Sequence, residues 1–246
     1  MKAMIFAAGL GTRLRPLTND RPKALVEVGG TAMLERVINR LKSHGINEIV
    51  INIHHFGEKI IDFVKQNNNF GITIHISDER DLLLDTGGGI LKAQQWLDGN
   101  EPIIIHNADI LTDLDLREMR QQHIESGADA TILVANRNTA RYFLFDNDNN
   151  LKGWTNISTG EIKPKTLTEI SQLTQLAFGG VHIISPSIFN TLEHYSSEPK
   201  FSITPFYIDN CNSLKIKGYQ PKESYQWFDI GKPETLTLAE NSFKIQ

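Results

Sequence analysis

The chain has almost no cysteine and no excess of positive charge. Cys211 is the single cysteine, which excludes an internal disulfide and a multi-cysteine zinc site and fits a reducing compartment. Its 25 lysines and arginines face 29 aspartates and glutamates, which gives a net charge of -4. Because nothing predicts a basic nucleic-acid surface, any site that binds an anion must be local.

Long apolar runs are also missing. The opening stretch AMIFAA, residues 3–8, is too short for the core of a signal peptide or for a membrane span. It predicts a buried strand in a cytoplasmic protein without a membrane partner. No repeat, low-complexity tract or linker divides the chain, so we expect one domain over residues 1–246, in a monomer or a homo-oligomer.

Strand-length apolar runs alternate with segments of helical period as far as about residue 135. In the first helical segment the apolar residues recur at spacings of three and four, before Gly45, at Met33, Leu34, Val37, Ile38 and Leu41. This alternation predicts an α/β fold, a Rossmann-like and mostly parallel sheet flanked by helices. Later stretches (RYFLF, LKGW, LAFGGVHIIS and SLKIKGY) predict a hairpin and further strands, with a helix around SPSIFNTLEH. These would form a small α+β lobe that completes a mixed sheet.

The stretch GLGTRLRPLTNDRPK, residues 9–23, follows the first predicted strand. Its glycines let backbone N–H groups approach a phosphate closely. Arginine offers a planar fork and lysine a compact charge, so the combination favours a polyphosphate. The dinucleotide fingerprint and the P-loop are both excluded, because a third glycine and a glycine-lysine-serine or glycine-lysine-threonine run are missing. An ordinary loop with solvated basic residues is the alternative.

This stretch resembles the signature of the sugar-1-phosphate nucleotidylyltransferases, or NDP-sugar pyrophosphorylases, which is glycine-x-glycine-threonine-arginine-leucine and then proline-lysine. The matching positions are Gly9, Gly11, Thr12, Arg13, Leu14, Pro22 and Lys23. The resemblance continues nearly end to end, through DTGGGI at residues 85–90, NAD at 107–109, FGGVHIISP at 178–186 and WFDIGKPETL at 227–236. It implies the nucleotide-diphospho-sugar transferase fold, with a nucleotide-binding half over about 1–135 and a sugar-phosphate-binding half over about 136–246.

The resemblance also implies a reaction. The phosphate of a sugar 1-phosphate attacks the α-phosphorus of a nucleoside triphosphate in line and expels pyrophosphate. Since the attacking phosphate is already anionic, catalysis depends on positioning and charge neutralisation rather than on a protein base. By resemblance, Arg13 and Lys23 are catalytic and grip the triphosphate, while Asp109 and Asp229 hold Mg²⁺. Without the resemblance, either aspartate could equally cap a helix.

Further contacts follow from the same resemblance. Glu79 would read the base, with Thr86, Gly87 and Gly88 pressing their backbone against base and ribose. For TGGG the alternative is a flexible loop ahead of a helix. The other expected nucleotide-binding residues lie in the glycine turn and after it, at Ala8, Gly9, Gly11, Thr12, Arg13 and Lys23.

The sugar phosphate is expected against the other half of the chain. Arg141, Gly153, Gly179 and Gly180 are the candidate contacts by resemblance. The sequence departs from the family here, since the usual glutamate-lysine pair is not found at GWTN, residues 153–156. The stretch EIKP at residues 161–164 is a possible substitute, and the residue that grips the phosphate stays open.

Within the family, the DTGGGI loop is most similar to that of the short N-acetylmuramate-1-phosphate uridylyltransferases of bacterial cell-wall recycling. This resemblance favours UTP and N-acetylmuramic acid 1-phosphate as substrates. A guanylyltransferase acting on mannose or heptose 1-phosphate is the nearest alternative.

Other classes of protein remain as alternatives. A metal-dependent glycosyltransferase would use paired aspartates such as those in DLD, residues 113–115, or DND, residues 146–148. A non-catalytic sensor or scaffold could share the fold. A zinc site would draw on the histidines, at His54, His55, His75 and His106, although their spacing does not favour one.

Overall fold

A computed structural model of the chain describes residues 1–243, which form fourteen strands and seven α-helices. The strands are β1 (Lys2–Phe6), β2 (Glu27–Val28), β3 (Thr31–Ala32), β4 (Glu48–Ile53), β5 (Thr73–Asp78), β6 (Ile103–Asn107), β7 (Ile110–Thr112), β8 (Ala130–Ala135), β9 (Arg141–Phe145), β10 (Leu151–Asn156), β11 (Glu161–Lys163), β12 (Thr174–Ile184), β13 (Ile216–Tyr219) and β14 (Trp227–Asp229). The helices are α1 (Met33–Ser43), α2 (Gly57–Gln66), α3 (Asp85–Leu97), α4 (Leu116–Ser126), α5 (Phe189–Leu192), α6 (Ile203–Asp209) and α7 (Pro233–Phe243).

One mixed sheet of ten strands organises the fold. Its main order is β11-β10-β9-β12-β6-β1-β4-β5. Strand β8 also pairs with β12, and β13 pairs with β8. The pairs among β6, β1, β4 and β5 are parallel, whereas β12 runs antiparallel to β6, β8 and β9. The predicted α/β class is therefore confirmed. Since β12 lies beside β6, residues after 136 share one sheet with the amino-terminal strands.

The central strands β1, β4 and β6 are mostly apolar because both faces of the sheet are covered. Alternate side chains of β1 enter different cores: Ala3 and Ile5 pack on the side of α1, α2 and α4, while Met4 packs on the side of α3, α5 and α6. The predicted helix pattern is also confirmed, since all five apolar residues of α1 are buried. Gly45, with a φ of 80°, follows the end of that helix.

Several later segments differ in detail from their predictions. The helix expected around SPSIFNTLEH is a 3-10 turn followed by the four-residue α5. The DND stretch forms the turn of the β9–β10 hairpin, where Asp146 Oδ1 accepts hydrogen bonds from the backbone N–H of Asp148 and Asn150 at 3.0 and 2.8 Å. In DLD, Asp115 caps α4 and Asp113 accepts from the N–H of Gln226. Asp113, Asp115 and Asp146 therefore have structural roles.

The described helices include no candidate for a membrane span. Over residues 1–243, no helix combines the length and the apolar character that crossing a bilayer requires.

A buried histidine links stability to pH. The Nε2–H of His123 donates to Ser185 Oγ at 3.0 Å, whose own proton goes to the Ala128 carbonyl, and Nδ1 accepts from Thr131 Oγ1 at 2.9 Å. Burial lowers the pKa of His123 from 6.5 to about 4, because the charged imidazolium would lose its hydration. The folded state therefore holds a neutral His123 at pH values where the unfolded chain binds a proton.

We predict that this histidine weakens the fold in mild acid. Its contribution is complete above pH 6.5 and is lost as the pH falls from 6.5 to about 4. His123→Gln should reduce the loss of unfolding free energy between pH 7.5 and 5.5 by about 1 kcal/mol. Urea denaturation at the two pH values measures this, with His194→Gln at an exposed site as the control. An unchanged pH dependence in His123→Gln contradicts the prediction.

Candidate active site

A cavity of about 420 Å³ opens at the carboxyl ends of β1, β4 and β6. This is the edge at which open α/β sheets bind ligands. The lining comes from the ends of these strands and the residues after them, from the segment between β5 and the start of α3, and from a short 3-10 helix at residues 23–25. The residues are Phe6, Ala7, Ala8, Gly9, Lys23, Ala24, Asn52, Glu79, Leu83, Asp85, Thr86, Asn107, Ala108 and Asp109. Lys200 completes the lining from the later part of the chain.

The glycine turn has a defined geometry at the rim of this cavity. Gly11 adopts a φ of 64°, and its carbonyl accepts a 2.8 Å hydrogen bond from Thr18 Oγ1. A Cβ at Gly11 would lie 3.1 Å from both Lys23 Cβ and Thr18 Cγ2. Gly9 has no heavy atom within 4 Å of where its Cβ would be and faces the cavity. The turn is therefore tight at Gly11 and open at Gly9.

Lys23 and Asp109 form an ion pair within the cavity. Lys23 begins a short 3-10 helix directly after Pro22, and Asp109 follows β6. The Lys23 Nζ donates to Asp109 Oδ2 with both side chains largely buried. A cation and a carboxylate that were predicted to act on the same phosphates thus lie in direct contact.

Asp229 reaches the same place from the far end of the sequence. Strand β14 pairs antiparallel with β7, which puts Asp229 opposite Ile110. The next residue, Ile230, donates its backbone N–H to the Asp109 carbonyl at 2.8 Å. Among the residues that the structure describes, Asp229 Oδ1 is one of the buried side-chain oxygens without a hydrogen-bond partner. A buried oxygen without a hydrogen bond costs folding free energy unless a ligand supplies the missing partner.

Gly231 shows how closely the charged groups converge. A Cβ at this position would lie 2.6 Å from Asp229 Oδ1, 2.9 Å from Arg13 Nη2 and 3.3 Å from Lys23 Nζ. Any side chain here would push these groups apart. The structure therefore brings together Arg13, Lys23, Asp109 and Asp229, and it adds Gly231, which the sequence reasoning missed.

Two carboxylates fit a magnesium ion better than zinc. Mg²⁺ commonly binds one or two protein carboxylates and takes its other oxygens from water and substrate phosphates. Over residues 1–243, no group of three or more His, Cys, Asp and Glu side chains is arranged to hold a metal by itself. Three of the four histidines considered for zinc have separate partners: His54 Nδ1 pairs with the Glu79 carbonyl, His106 Nδ1 with the Asn107 carbonyl, and His75 with Glu48.

Glu79 lies in the cavity wall, yet its carboxylate is engaged with the protein. Its oxygens accept from Asn52 Nδ2 at 2.8 Å and from the Leu84 N–H at 3.0 Å. Asn52 Oδ1 in turn accepts from the Ala7 N–H at 2.8 Å. Burial raises the pKa of Glu79, and the two donated hydrogen bonds oppose that rise. The residue therefore ties the ends of β1 and β4 to the start of α3, a role that the prediction of base reading did not include.

The expected glycine loop is instead the first turn of α3. The N–H groups of Gly87 and Gly88 both donate to the Phe201 carbonyl, at 2.9 and 3.1 Å. A Cβ on Gly88 would lie 2.1 Å from the Pro199 carbonyl oxygen, and one on Gly87 would lie 2.4 Å from the Phe201 ring. The N–H groups of these two glycines are thus engaged within the protein, and their contact with a nucleotide stays a prediction. Both residues are glycines because residues 199–203, the strap, cross helix α3 there.

The strap also explains Thr86 and Lys200. Thr86 Oγ1 accepts from the Ile203 N–H at 2.9 Å, and the Phe201 N–H donates to the Leu84 carbonyl at 3.1 Å. This anchoring places Lys200 at the cavity. Thr86 lines the cavity, while its hydroxyl holds the strap.

The candidates for sugar-phosphate binding lie outside this cavity lining. A Cβ on Gly153 would lie 2.3 Å from the Lys163 carbonyl oxygen, and one on Gly179 would lie 2.7 Å from Leu133. Gly180, with a φ of 74°, packs on Ile110 beside Asn107. Packing thus accounts for all three glycines. Arg141 is exposed at the start of β9.

Asn52, Asn107 and Lys200 line the cavity, although they were not predicted as site residues. The sequence carries a weak signal for the two asparagines. Asn52 and Asn107 end apolar strands, a position where a polar side chain suggests a site. Lys200 gave no signal, because only the strap's contacts with α3 bring it to the cavity.

Solved structures with similar folds support the fold assignment. HddC from Yersinia pseudotuberculosis complexed with GMP-PN has a TM-score of 0.77, is 24% identical and covers 99% of both chains. A UDP-glucose pyrophosphorylase complexed with UDP-glucose has a TM-score of 0.76, is 19% identical and covers 98% of this chain and 97% of that one. The chain thus has the nucleotide-diphospho-sugar transferase fold.

Sequence comparison defines the family. Residues 2–244 match the nucleotidyl transferase family, and the chain belongs to it as a sugar-1-phosphate nucleotidyltransferase. It is 32% identical over 244 residues to an N-acetylmuramate α-1-phosphate uridylyltransferase of Caulobacter vibrioides, covering 97% of this chain and 95% of that protein. It is 31% identical over 232 residues to an enzyme of that name from Neisseria meningitidis, covering 94% and 93%.

The contact between the strap and α3 gives a testable stability prediction. Gly88→Ala should lower the free energy of unfolding by about 1–3 kcal/mol, because the new Cβ overlaps a backbone carbonyl that cannot rotate away. Gly9→Ala, with open space around its Cβ, is the matched control and should change stability far less. Urea denaturation of both variants measures the difference. Equal stability of the two variants would refute the packing argument.

Proposed function

We propose that the protein transfers the uridylyl group of UTP to N-acetylmuramic acid 1-phosphate. A phosphate oxygen of the sugar 1-phosphate forms a bond to the α-phosphorus of UTP as the bond to the β-phosphate oxygen breaks. Pyrophosphate leaves with the electron pair, and the product is a UDP-sugar. Enzymes named for this reaction are the 32% and 31% identical relatives over nearly the whole chain, and that similarity carries the choice of substrates.

Charge convergence supports the proposed mechanism. The oxygens of Asp109 and Asp229 would hold Mg²⁺, which when bound neutralises charge on the substrate phosphates. Arg13 and Lys23 would bind the triphosphate and stabilise the leaving pyrophosphate. No side chain has to remove a proton, because the attacking phosphate is anionic at neutral pH.

The nucleotide is proposed to lie along the cavity described above. The open backbone at Ala8 and Gly9 would approach its phosphates, while Gly11 and Thr12 shape the turn. Glu79 and Thr86 would form the wall beside the base and ribose. Residues 1–135 would supply the nucleotide side and residues 136–246 the sugar-phosphate side of one domain, with Arg141 a candidate contact there.

A biological role follows from the proposed substrates. A uridylyltransferase for N-acetylmuramic acid 1-phosphate would serve peptidoglycan recycling in the cytoplasm. The guanylyltransferase alternative keeps some support, since the chain is 27% identical over 237 residues to a probable mannose-1-phosphate guanylyltransferase 2 of Oryza sativa, covering 62% of that protein.

A substrate panel tests this proposal. Pyrophosphate release with Mg²⁺ should be greatest for UTP paired with N-acetylmuramic acid 1-phosphate. The panel crosses UTP, dTTP, GTP, CTP and ATP with the 1-phosphates of N-acetylmuramic acid, N-acetylglucosamine, glucose, mannose and a heptose. A maximum at GTP with mannose or heptose 1-phosphate would replace the proposed substrates. Binding without turnover in every pairing would favour the sensor.

Substitution of the charged residues tests their proposed roles. Lys23→Ala and Asp109→Asn should each reduce kcat by about a hundredfold or more, because each removes a charge that acts on the reacting phosphates. Lys65→Ala and Asp62→Asn, at exposed positions of α2, are the matched controls and should retain wild-type rates. Normal turnover by either site variant overturns the role given to that residue.

A further inference from the structure

Arg137 is a half-buried cation that lies close enough to Asp229 to feel its charge, and no assignment above uses it. It lies just after β8, and its guanidinium carbon is 3.8 Å from the centre of the Trp227 ring. Its Nη2 donates to the Phe178 carbonyl. These two contacts fix the plane and the direction of the guanidinium.

The partner of Arg137 is itself anchored next to the site. The Trp227 Nε1–H donates to the Gly179 carbonyl at 2.8 Å, next to the carbonyl that Arg137 binds. Trp227 and Asp229 are two residues apart on β14, so their side chains leave the same face of that strand. The stacked guanidinium therefore lies on the face of β14 from which Asp229 projects.

The hydrogen bonding of Arg137 is incomplete. Its Nε is one of the buried side-chain nitrogens without a hydrogen-bond partner among the described residues. Burial lowers the pKa of Arg137, and the charge of Asp229 is the largest influence that opposes this. Keeping a guanidinium here costs solvation that a carbonyl and an aromatic ring recover only in part. An anion that accepts hydrogen bonds from the remaining N–H groups of Arg137 would recover more of this solvation.

The reaction itself indicates which anion this is. The attacking phosphate must come within bonding distance of the α-phosphorus. The proposed metal carboxylates, Asp109 and Asp229, would lie beside that phosphorus. The attacking phosphate must therefore arrive near Asp229, from the side that the triphosphate does not occupy. Arg13 and Lys23 come from the glycine turn, whereas Arg137 comes from the opposite half of the chain.

We propose that Arg137 binds the phosphate of the sugar 1-phosphate. Stacking on Trp227 and the bond to Phe178 pre-orient a planar fork, a geometry suited to two phosphate oxygens. Arg137 then supplies the grip that the family's glutamate-lysine pair would give and that this sequence lacks at residues 153–156. The inference rests on the positions proposed above for the nucleotide and the metal carboxylates.

Steady-state kinetics of two Arg137 variants test the inference. Arg137→Met keeps the apolar length and removes the charge, and Arg137→Lys keeps the charge and removes the fork. With the substrate pair that the wild-type enzyme uses best in the panel above, we expect Arg137→Met to raise KM for the sugar 1-phosphate at least tenfold. Arg137→Lys should give a smaller rise, and KM for the nucleotide should stay within about twofold.

The matched control is Arg120, on α4. It also has a buried Nε without a partner in the described part of the chain, and it pairs with Glu101 at the opposite edge of the sheet. Arg120→Met should leave both KM values unchanged. Equal rises in the two KM values, or unchanged values in a folded Arg137→Lys, would overturn the inference. If the wild-type enzyme prefers other substrates, the proposed function fails separately, since the kinetic comparison then uses that preferred pair.

Discussion

The site depends on one short strand pairing, that of β7 with β14. This pairing brings Asp229 next to Asp109, although 120 positions separate them in the sequence. The register is fixed around it by the Ile230–Asp109 backbone hydrogen bond and by two bonds at Gln226, whose carbonyl accepts from Thr112 Oγ1 and whose N–H donates to Asp113 Oδ1. A slip of one residue would turn Asp229 to the other face of its strand. The two carboxylates are therefore positioned by sheet geometry rather than by flexible loops.

A second set of contacts fixes the wall of the cavity around Glu79. The chain of hydrogen bonds from Ala7 through Asn52 and Glu79 to Leu84 runs across the ends of two parallel strands and reaches the first turn of α3. Each member is buried and each bond uses a donor that would otherwise lack a partner. Hydrogen bonds between polar groups at the carboxyl end of the sheet thus hold the cavity wall in place. The protein's own contacts therefore define the shape of the cavity.

Local sequence information was sufficient for the central strands, for α1 and for singling out the string of residues 9–23. The apolar periodicity of α1 and the three isoleucines that open β6 report burial directly, and the string from Gly9 to Lys23 is contiguous. The glycine-rich start of α3 was not predictable, because three glycines disfavour a helix unless another segment requires the space. That segment lies more than 100 residues later. Arg137 was missed for the same reason, since its stacking partner is Trp227.

The strap across α3 has a consequence for how such an enzyme can diverge. Its backbone is held by Leu84, Thr86, Gly87 and Gly88, so the path of the chain is set independently of the side chain at position 200. Lys200 is carried to the cavity by that path. Substitutions at this one position can therefore alter the wall of the cavity while the glycine turn and both carboxylates stay intact.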